Sequence, residues 1–174
     1  MGALISESVN KKLDEIVTFC FLGNRISDRA MSVLDVKFVL PNTASILHNK
    51  LAHLFPQLAD VVSEFQGSRN CLTVYGMTPL DDTDYLSPQS FFVKILEYMQ
   101  DLESLCFDTR DVAKEDRDYA TLSFIDDFIE LLIPVTKQCL LLVDKGDAYA
   151  GDWMKFDHDI DKFIVLGSLV DGEW

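Results

Sequence analysis

The sequence is poor in basic side chains and has no long apolar run. Fifteen lysines and arginines stand against 29 aspartates and glutamates, which gives a net charge of −14 over 174 residues. A surface of this charge repels phosphate backbones, so binding to DNA or RNA through a basic patch is not expected. No stretch approaches the roughly 18 uninterrupted apolar residues of a membrane-spanning helix, and residues 1–6 lack the features of a signal peptide. A cytoplasmic location is therefore the expectation.

Motifs for structural zinc, nucleotide binding and nucleophilic catalysis are also missing. The four cysteines, Cys20, Cys71, Cys106 and Cys139, form no CxxC and no Cys/His pair at zinc-finger spacing. Three of them lie within apolar helical runs, where we expect small buried side chains, whereas Cys71 falls in a loop and is the candidate reactive thiol. The sequence contains no glycine-rich phosphate loop, and no Ser/His/Asp constellation can be argued from it.

The sequence does contain five segments with a helical pattern. Apolar side chains recur at steps of three and four residues, which is the period of a helix with one buried face. This period predicts helices over about 6–36, 44–66, 87–114, 119–145 and 152–166. Gly23 should interrupt or kink the first helix, and Pro56, which has no backbone donor, should bend the second.

Residues 68–86 separate the second predicted helix from the third and have a different character. Turn-forming residues are dense there and the helical period disappears. A segment of about 20 residues is long for a loop within a compact domain, but it suits a connection that travels the length of a helical bundle. The order of segments predicts one all-α domain over residues 1–174. Its expected fold is a four-helix bundle with one long crossover and a short C-terminal fifth helix.

The most informative pattern is a polar stripe on the second predicted helix. His53, Gln57, Asp60 and Glu64 follow one another at steps of four, three and four residues, which places them on one helical face. Carboxylate and imidazole groups are suitable ligands for iron or zinc, so the stripe is compatible with a metal site that another subunit completes. A solvated face or a subunit contact explains the same spacing, and the sequence alone favours that interpretation.

Two further acidic side chains, Asp126 and Glu130, could likewise be either metal ligands or structural residues. Asp126 and Glu130 lie four residues apart beside the apolar stripe of the fourth predicted helix, where two close carboxylates would need a cation or a proton. Lys137 follows on roughly the same face and offers an ionic partner, which favours a structural role over a metal site. Residues 157–161 read Asp-His-Asp-Ile-Asp, but adjacent helical residues point about 100° apart. We therefore predict a solvated face there.

The layout resembles the ferritin-like superfamily, and within it the Dps-like branch. Besides the helix order, the resemblance rests on Asp60-Val-Val-Ser-Glu64, the following Gln66-Gly67, Thr78-Pro79-Leu80 in the crossover, and Asp118-Tyr-Ala-Thr121 at the start of the fourth helix. Dps-like proteins have a DxxxE at this point of the second helix that supplies metal ligands. The resemblance therefore implies a ferritin-like bundle, a homo-oligomer, and Asp60 and Glu64 as ligands.

The sequence departs from this superfamily in its metal motifs. Ferritins and bacterioferritins place a Glu and two ExxH motifs in the bundle core, whereas this sequence contains no ExxH. Dps-like sites also take histidines from the first helix, which has none here, and the spacing of His48 and His53 to Asp60 differs from that of the family. The ferroxidase motif is therefore incomplete.

Three functions follow as alternatives. The first is a Dps-like or ferritin-like homo-oligomer with a degenerate metal site, which acts by assembly or by weak binding of a cation such as iron. The second is an active iron-oxidising storage enzyme with Asp60 and Glu64 as bridging carboxylates and His53 as the nitrogen ligand. The third is a helical-bundle scaffold that binds a partner without metal chemistry. The sequence leaves open whether the chain is an enzyme and whether iron, or no cofactor, is bound.

Overall fold

All regular secondary structure of the protein is helical in the part of the chain that its computed structural model describes, residues 2–164, which contains no strand. The elements are α1 (Glu7–Val36), α2 (Pro41–Leu47), a π-helical turn (His48–Ala52), α3 (Leu54–Ser68), α4 (Pro88–Glu115), α5 (Tyr119–Ala148), α6 (Trp153–Asp159) and a 3₁₀ turn (Ile160–Lys162). None of these described helices is long and apolar enough to cross a membrane. The predicted all-α fold with a long crossover and a short C-terminal helix is confirmed.

Helix α1 lies antiparallel to both α3 and α4. At the start of α1, Ser6 Oγ donates a hydrogen bond to Asp116 Oδ2 at 2.5 Å, so the end of α4 lies beside the start of α1. Gln66 Nε2, near the end of α3, donates to Asp14 Oδ1 at 2.8 Å at the same end of the bundle. Helix α5 packs along α4. One continuous core of buried apolar side chains joins the four long helices.

The crossover, residues 69–87, runs along α1 in the same direction as that helix. Three consecutive turns of α1 bond to alternate crossover residues. Asn10 Nδ2 donates to Leu72 O (3.1 Å), Val74 N donates to Asp14 Oδ1 (2.9 Å) and Gly76 N donates to Thr18 Oγ1 (2.9 Å). The spacings match because four helical residues rise about 6 Å and two extended residues span about 6.6 Å. At the far end, Lys37 Nζ donates to Tyr85 O at 2.8 Å. The segment thus spans the length of the bundle, as predicted.

The bend expected at Pro56 takes the form of a break in the α-helical pattern. The chain passes through the π-helical turn and resumes α-helical geometry at Leu54, so that Pro56 lies in the first turn of α3. Because proline has no N–H, the carbonyl four residues earlier, on Ala52, lacks its usual helical donor. Asn24 of α1 replaces that donor, since its Nδ2 donates to Ala52 O at 3.0 Å. The Asn24 side chain of α1 therefore supplies the hydrogen bond that the Ala52 carbonyl of the π-helical turn would otherwise lack.

The expectation that Gly23 interrupts α1 is wrong. The helix runs unbroken from Glu7 to Val36, and the glycine is explained by packing. A Cβ atom on Gly23 would lie 2.5 Å from Tyr98 Cζ, because the phenol ring of α4 fills the space where a side chain would stand. Tyr98 is only 2% exposed, and its hydroxyl donates to Phe19 O at 2.6 Å. Gly23 therefore allows α1 and α4 to approach closely.

Two acidic side chains of the C-terminal helix α6, Asp157 and Asp159, form hydrogen bonds within the protein although we predicted them to be solvated. Asp157 is 6% exposed, and its Oδ1 accepts a hydrogen bond at 2.7 Å from the backbone N–H of Thr43 in α2. A hydrogen bond from Lys162, with contacts from His158 and Tyr149, holds the pKa of the Asp159 carboxyl well below its ordinary value. The predicted solvated face is wrong for these two carboxylates, because all their partners except His158 lie outside the segment that suggested it.

Candidate functional site

The predicted polar stripe lies on the outer side of α3. His53, Asp60 and Glu64 are exposed and Gln57 is half-buried, while Leu54, Phe55, Leu58, Ala59 and Val62 of the same helix are buried. About two helical turns, or roughly 10 Å, separate His53 from Asp60 along the axis. Within residues 2–164, no three His, Cys, Asp or Glu side chains come together as a group that could hold a metal ion. A site built on the stripe with three or more protein ligands would therefore need some of them from a second chain.

The acidic pair of α5 is also exposed. Asp126 and Glu130 both face solvent, and Asp126 Oδ1 accepts a hydrogen bond from Arg110 Nε of α4 at 2.6 Å. That hydrogen bond raises the pKa of the Arg110 guanidinium, and the charge of Asp126 adds to the effect. Asp126 thus has a cationic partner that sequence analysis did not find, since Arg110 lies on the preceding helix.

The interior of the bundle does not match the donor set of a di-iron centre. Ferritin-like di-iron proteins project a Glu from each of two helices, and a Glu-x-x-His pair from each of the other two, into the bundle. The buried residues of α1, α3, α4 and α5 include no Asp, Glu or His. Their buried polar side chains carry only hydroxyl or amide groups: Ser27, Gln66, Thr109, Thr121 and Gln138. The residues of the described core therefore do not fit such a centre.

Aromatic rings occupy the middle of the interior instead. Tyr98 stacks on Phe19 of α1, with 4.8 Å between ring centroids and 6° between ring planes. Phe55 of α3 meets the same ring edge to face, at 5.1 Å and 82°. Burial raises the pKa of the Tyr98 phenol well above its ordinary value, so the ring stays neutral. Three helices are thus joined by one ring cluster, in which Phe55 and Tyr98 are buried and Phe19 is half-buried.

Three thiols lie in the same interior. Cys20, Cys106 and Cys139 are fully buried, as predicted, whereas Cys71 is partly exposed at the start of the crossover. Burial raises the pKa of Cys106 and Cys139 to about 12, and raises that of Cys20 as well. These groups are therefore protonated near neutral pH and shielded from reagents, and a thiol is a poor nucleophile without its thiolate form.

We expect one fast-reacting thiol in the native protein. An aromatic disulfide reagent at pH near 8 should modify Cys71 within minutes, because it is accessible, and the other three cysteines only after denaturation. The absorbance of the released thiolate counts the modified groups. The variant Cys71→Ser should lose the fast phase while keeping the slow one. Two or more fast thiols in the native protein would show that the interior is open, contrary to its burial.

A second candidate site is an open groove of ≈ 800 Å³ between α1 and the crossover. Its apolar lining includes Phe19, Leu22, Val74, Met77, Pro79 and Leu105, and its α1 side also carries the charged Glu7, Lys11, Asp14 and Glu15. The crossover side chains at and beside the groove are strongly exposed, and Met77 has 96% of its surface accessible. Sequence analysis did not find this groove, because the turn-forming character of the segment says nothing about which of its apolar side chains stay uncovered. Contiguous apolar surface of this kind marks interaction sites.

Comparison with known proteins identifies the fold. No protein-family model and no curated protein matches the sequence. Two crystal structures of an open pore ferritin from the hyperthermophilic archaeon Archaeoglobus fulgidus are similar, each with a TM-score of 0.84, at 16% and 14% identity, over 91% of this chain and 97% of theirs. The crystal structure of a PmFTN variant soaked in iron has a TM-score of 0.81 at 16% identity, over 88% of this chain and 99% of its own. The chain therefore has the ferritin-like fold.

Proposed function

We propose that this chain is a homo-oligomer of the Dps-like or ferritin-like kind with a degenerate metal site, and that it acts by assembly rather than by iron oxidation inside the bundle. One observation carries the proposal. The ferritin-like fold is kept, but the buried faces of its four long helices carry no carboxylate and no imidazole. Those faces hold packed rings, aliphatic groups and thiols with a few hydroxyl and amide side chains, which stabilise the bundle and offer no carboxylate to bridge two iron ions.

The crossover side of the groove is the proposed contact with a second copy, since the α1 side carries Glu7, Lys11, Asp14 and Glu15. A chain of net charge −14 repels its own copies, so a contact between them requires a face with little charge. Residues 70–80 of the crossover contain no charged side chain, and they include the exposed Leu72, Val74, Tyr75, Met77 and Leu80. Covering this row would remove apolar surface from water, which favours association.

Any ion held by the stripe would be shared between copies in this proposal. His53, Asp60 and Glu64 lie on the exposed side of α3 and do not close around an ion within one chain. Asp126 and Glu130 are a weaker candidate pair, since Asp126 already pairs with Arg110. Binding at such sites should be weak, because each copy supplies few ligands and water competes for the rest.

The solution mass tests the assembly. Light scattering coupled to gel filtration should give the wild-type protein a mass of two or more chains of 19.7 kDa. The variant Met77→Asp should shift the mass to smaller species, because it places a carboxylate in an apolar contact. Circular dichroism should show unchanged helix content.

Met154→Asp is the matched control. Met154 is 70% exposed on α6 and does not line the groove, so this variant should keep the wild-type mass. A monomeric wild-type protein would contradict the proposed assembly. A Met77→Asp oligomer of unchanged mass and stability would contradict the assignment of this groove as the contact.

A further inference from the structure

We propose that His48 and His53 form a binding site for one divalent transition-metal ion, with Asp28 of α1 positioning His48. The two imidazole rings lie 4.4 Å apart between centroids, with 63° between their planes. They are two of the three histidines of the chain. The site differs from the polar stripe of α3, because it joins His53 to residues at its N-terminal side rather than to Asp60 and Glu64.

The π-helical turn brings the two rings together. In an α-helix, residues five positions apart point about 140° away from each other. Here His53 N donates to His48 O at 3.3 Å, which is the five-residue hydrogen bond of a π-helix and places one residue above the other. The hydrogen bond from Asn24 Nδ2 to Ala52 O holds the turn against α1. Interruptions of this kind are rare and occur frequently at functional sites.

Asp28 fixes the orientation of one ring. His48 Nδ1 lies 3.0 Å from Asp28 Oδ1, and Asn24 Nδ2 lies 3.3 Å from the other oxygen of that carboxylate. With the proton on Nδ1 donated to Asp28, the lone pair of His48 Nε2 is available to a metal ion. Most metal-binding histidines are held in this way, with the second ring nitrogen bonded to a carboxylate or carbonyl. Asp28 is therefore a positioning residue.

The separation of the rings suits two nitrogen ligands on one ion. A metal–nitrogen distance of about 2.0–2.1 Å puts each ring centre about 3.2 Å from the ion, so two ligands at right angles have centroids about 4.5 Å apart. Both side chains reach the surface, where water completes the coordination. Imidazole suits Cu²⁺, Ni²⁺ and Zn²⁺, and Cu²⁺ binds tightest to a given nitrogen site. The acidic chain also raises the local concentration of cations.

Copper titration of the full chain tests the site. In the Cys71→Ser background, which removes the accessible thiol that would compete for and reduce the ion, one equivalent of Cu²⁺ near neutral pH should bind at a single site per chain, and its electron paramagnetic resonance spectrum should show coupling to two imidazole nitrogens. His48→Gln and His53→Gln should each weaken binding at least tenfold and leave a spectrum without the second nitrogen. Asp28→Asn should weaken binding by about 10–100-fold while both nitrogens stay visible, as expected of a group that orients a ligand.

His158→Gln is the matched control. His158 Nδ1 also lies 3.0 Å from a carboxylate oxygen, that of Asp159, but on α6, so its replacement should leave the first equivalent of Cu²⁺ unaffected. All these side chains reach the surface, and circular dichroism checks that each variant folds. Three results would overturn the proposal. They are Cu²⁺ binding that survives in the His48→Gln/His53→Gln double variant, an equal loss of Cu²⁺ affinity in His158→Gln, and no binding of the first equivalent of Cu²⁺.

Discussion

Replacing Tyr98 with alanine should lower the free energy of unfolding by about 3–5 kcal/mol. The ring is almost completely buried, stacks on Phe19, meets Phe55 edge to face and donates its hydroxyl proton to the Phe19 carbonyl. Its removal leaves a cavity between three helices and one unmade hydrogen bond. Urea denaturation followed by circular dichroism measures the change. All variants should be compared at one protein concentration, because assembly makes apparent stability depend on concentration.

The effect of Gly23→Ala on the free energy of unfolding should depend on whether Tyr98 is present. In the wild-type protein, Gly23→Ala should cost about 1–3 kcal/mol, because the new methyl group enters the space of the Tyr98 ring. In the Tyr98→Ala background the same change should be neutral or stabilising by up to about 1 kcal/mol, since alanine is the better helix former and the clash is gone. The difference between the two backgrounds is the coupling between the residues.

Gly67→Ala is the control for this pair. Gly67 also lies in a helix, but a Cβ atom there meets nothing within 4 Å, so the substitution should be neutral or slightly stabilising. Were Gly23→Ala as harmless as Gly67→Ala in the wild-type background, the close approach of α1 and α4 described here would be wrong.

The helical bundle could be predicted because the patterns that specify each helix lie within that stretch of the sequence. Three-and-four periodicity located the long helices, and the structure has Ser87 and Pro88 at the start of α4. Ser87 Oγ does accept a hydrogen bond from Ser90 N, at 3.1 Å, and the prolines at 41 and 88 occupy first helical positions, where a missing N–H costs nothing. The loss of the helical apolar period between α3 and α4 was enough to predict the crossover. Hydrogen bonds from α1 then set which crossover residue lies beside each turn of that helix.

Two errors share one physical cause, which is contact between residues distant in sequence, whereas the missed histidine contact has a local cause. Gly23 was expected to break a helix because its intrinsic propensity is poor, but Tyr98 lies 75 residues away and supplies the packing that requires it. Asp157 was expected to be solvated, yet it bonds to Thr43. The His48–His53 contact depends on a π-helical turn, and an α-helical period places those two rings on different faces.

Ferrous iron added in air tests the account of the interior most directly. Because the buried faces of α1, α3, α4 and α5 carry no carboxylate or imidazole, we expect the protein to oxidise iron no faster than buffer does. We expect the protein to retain almost no iron after gel filtration. A ferritin of known activity, run at the same subunit concentration, serves as the positive control. The absorbance of ferric iron gives the rate, and elemental analysis of the protein peak gives the retained metal.

The same measurement has an outcome that would contradict this account. Rapid oxidation with retained iron, lost in Asp60→Asn or Glu64→Gln, would show that the exposed stripe of α3 forms an active centre between copies. The chain would then be an iron-oxidising enzyme. Oxidation at the rate of buffer alone, with a folded oligomer and no retained iron, is the result that a bundle packed with rings, aliphatic groups and thiols predicts.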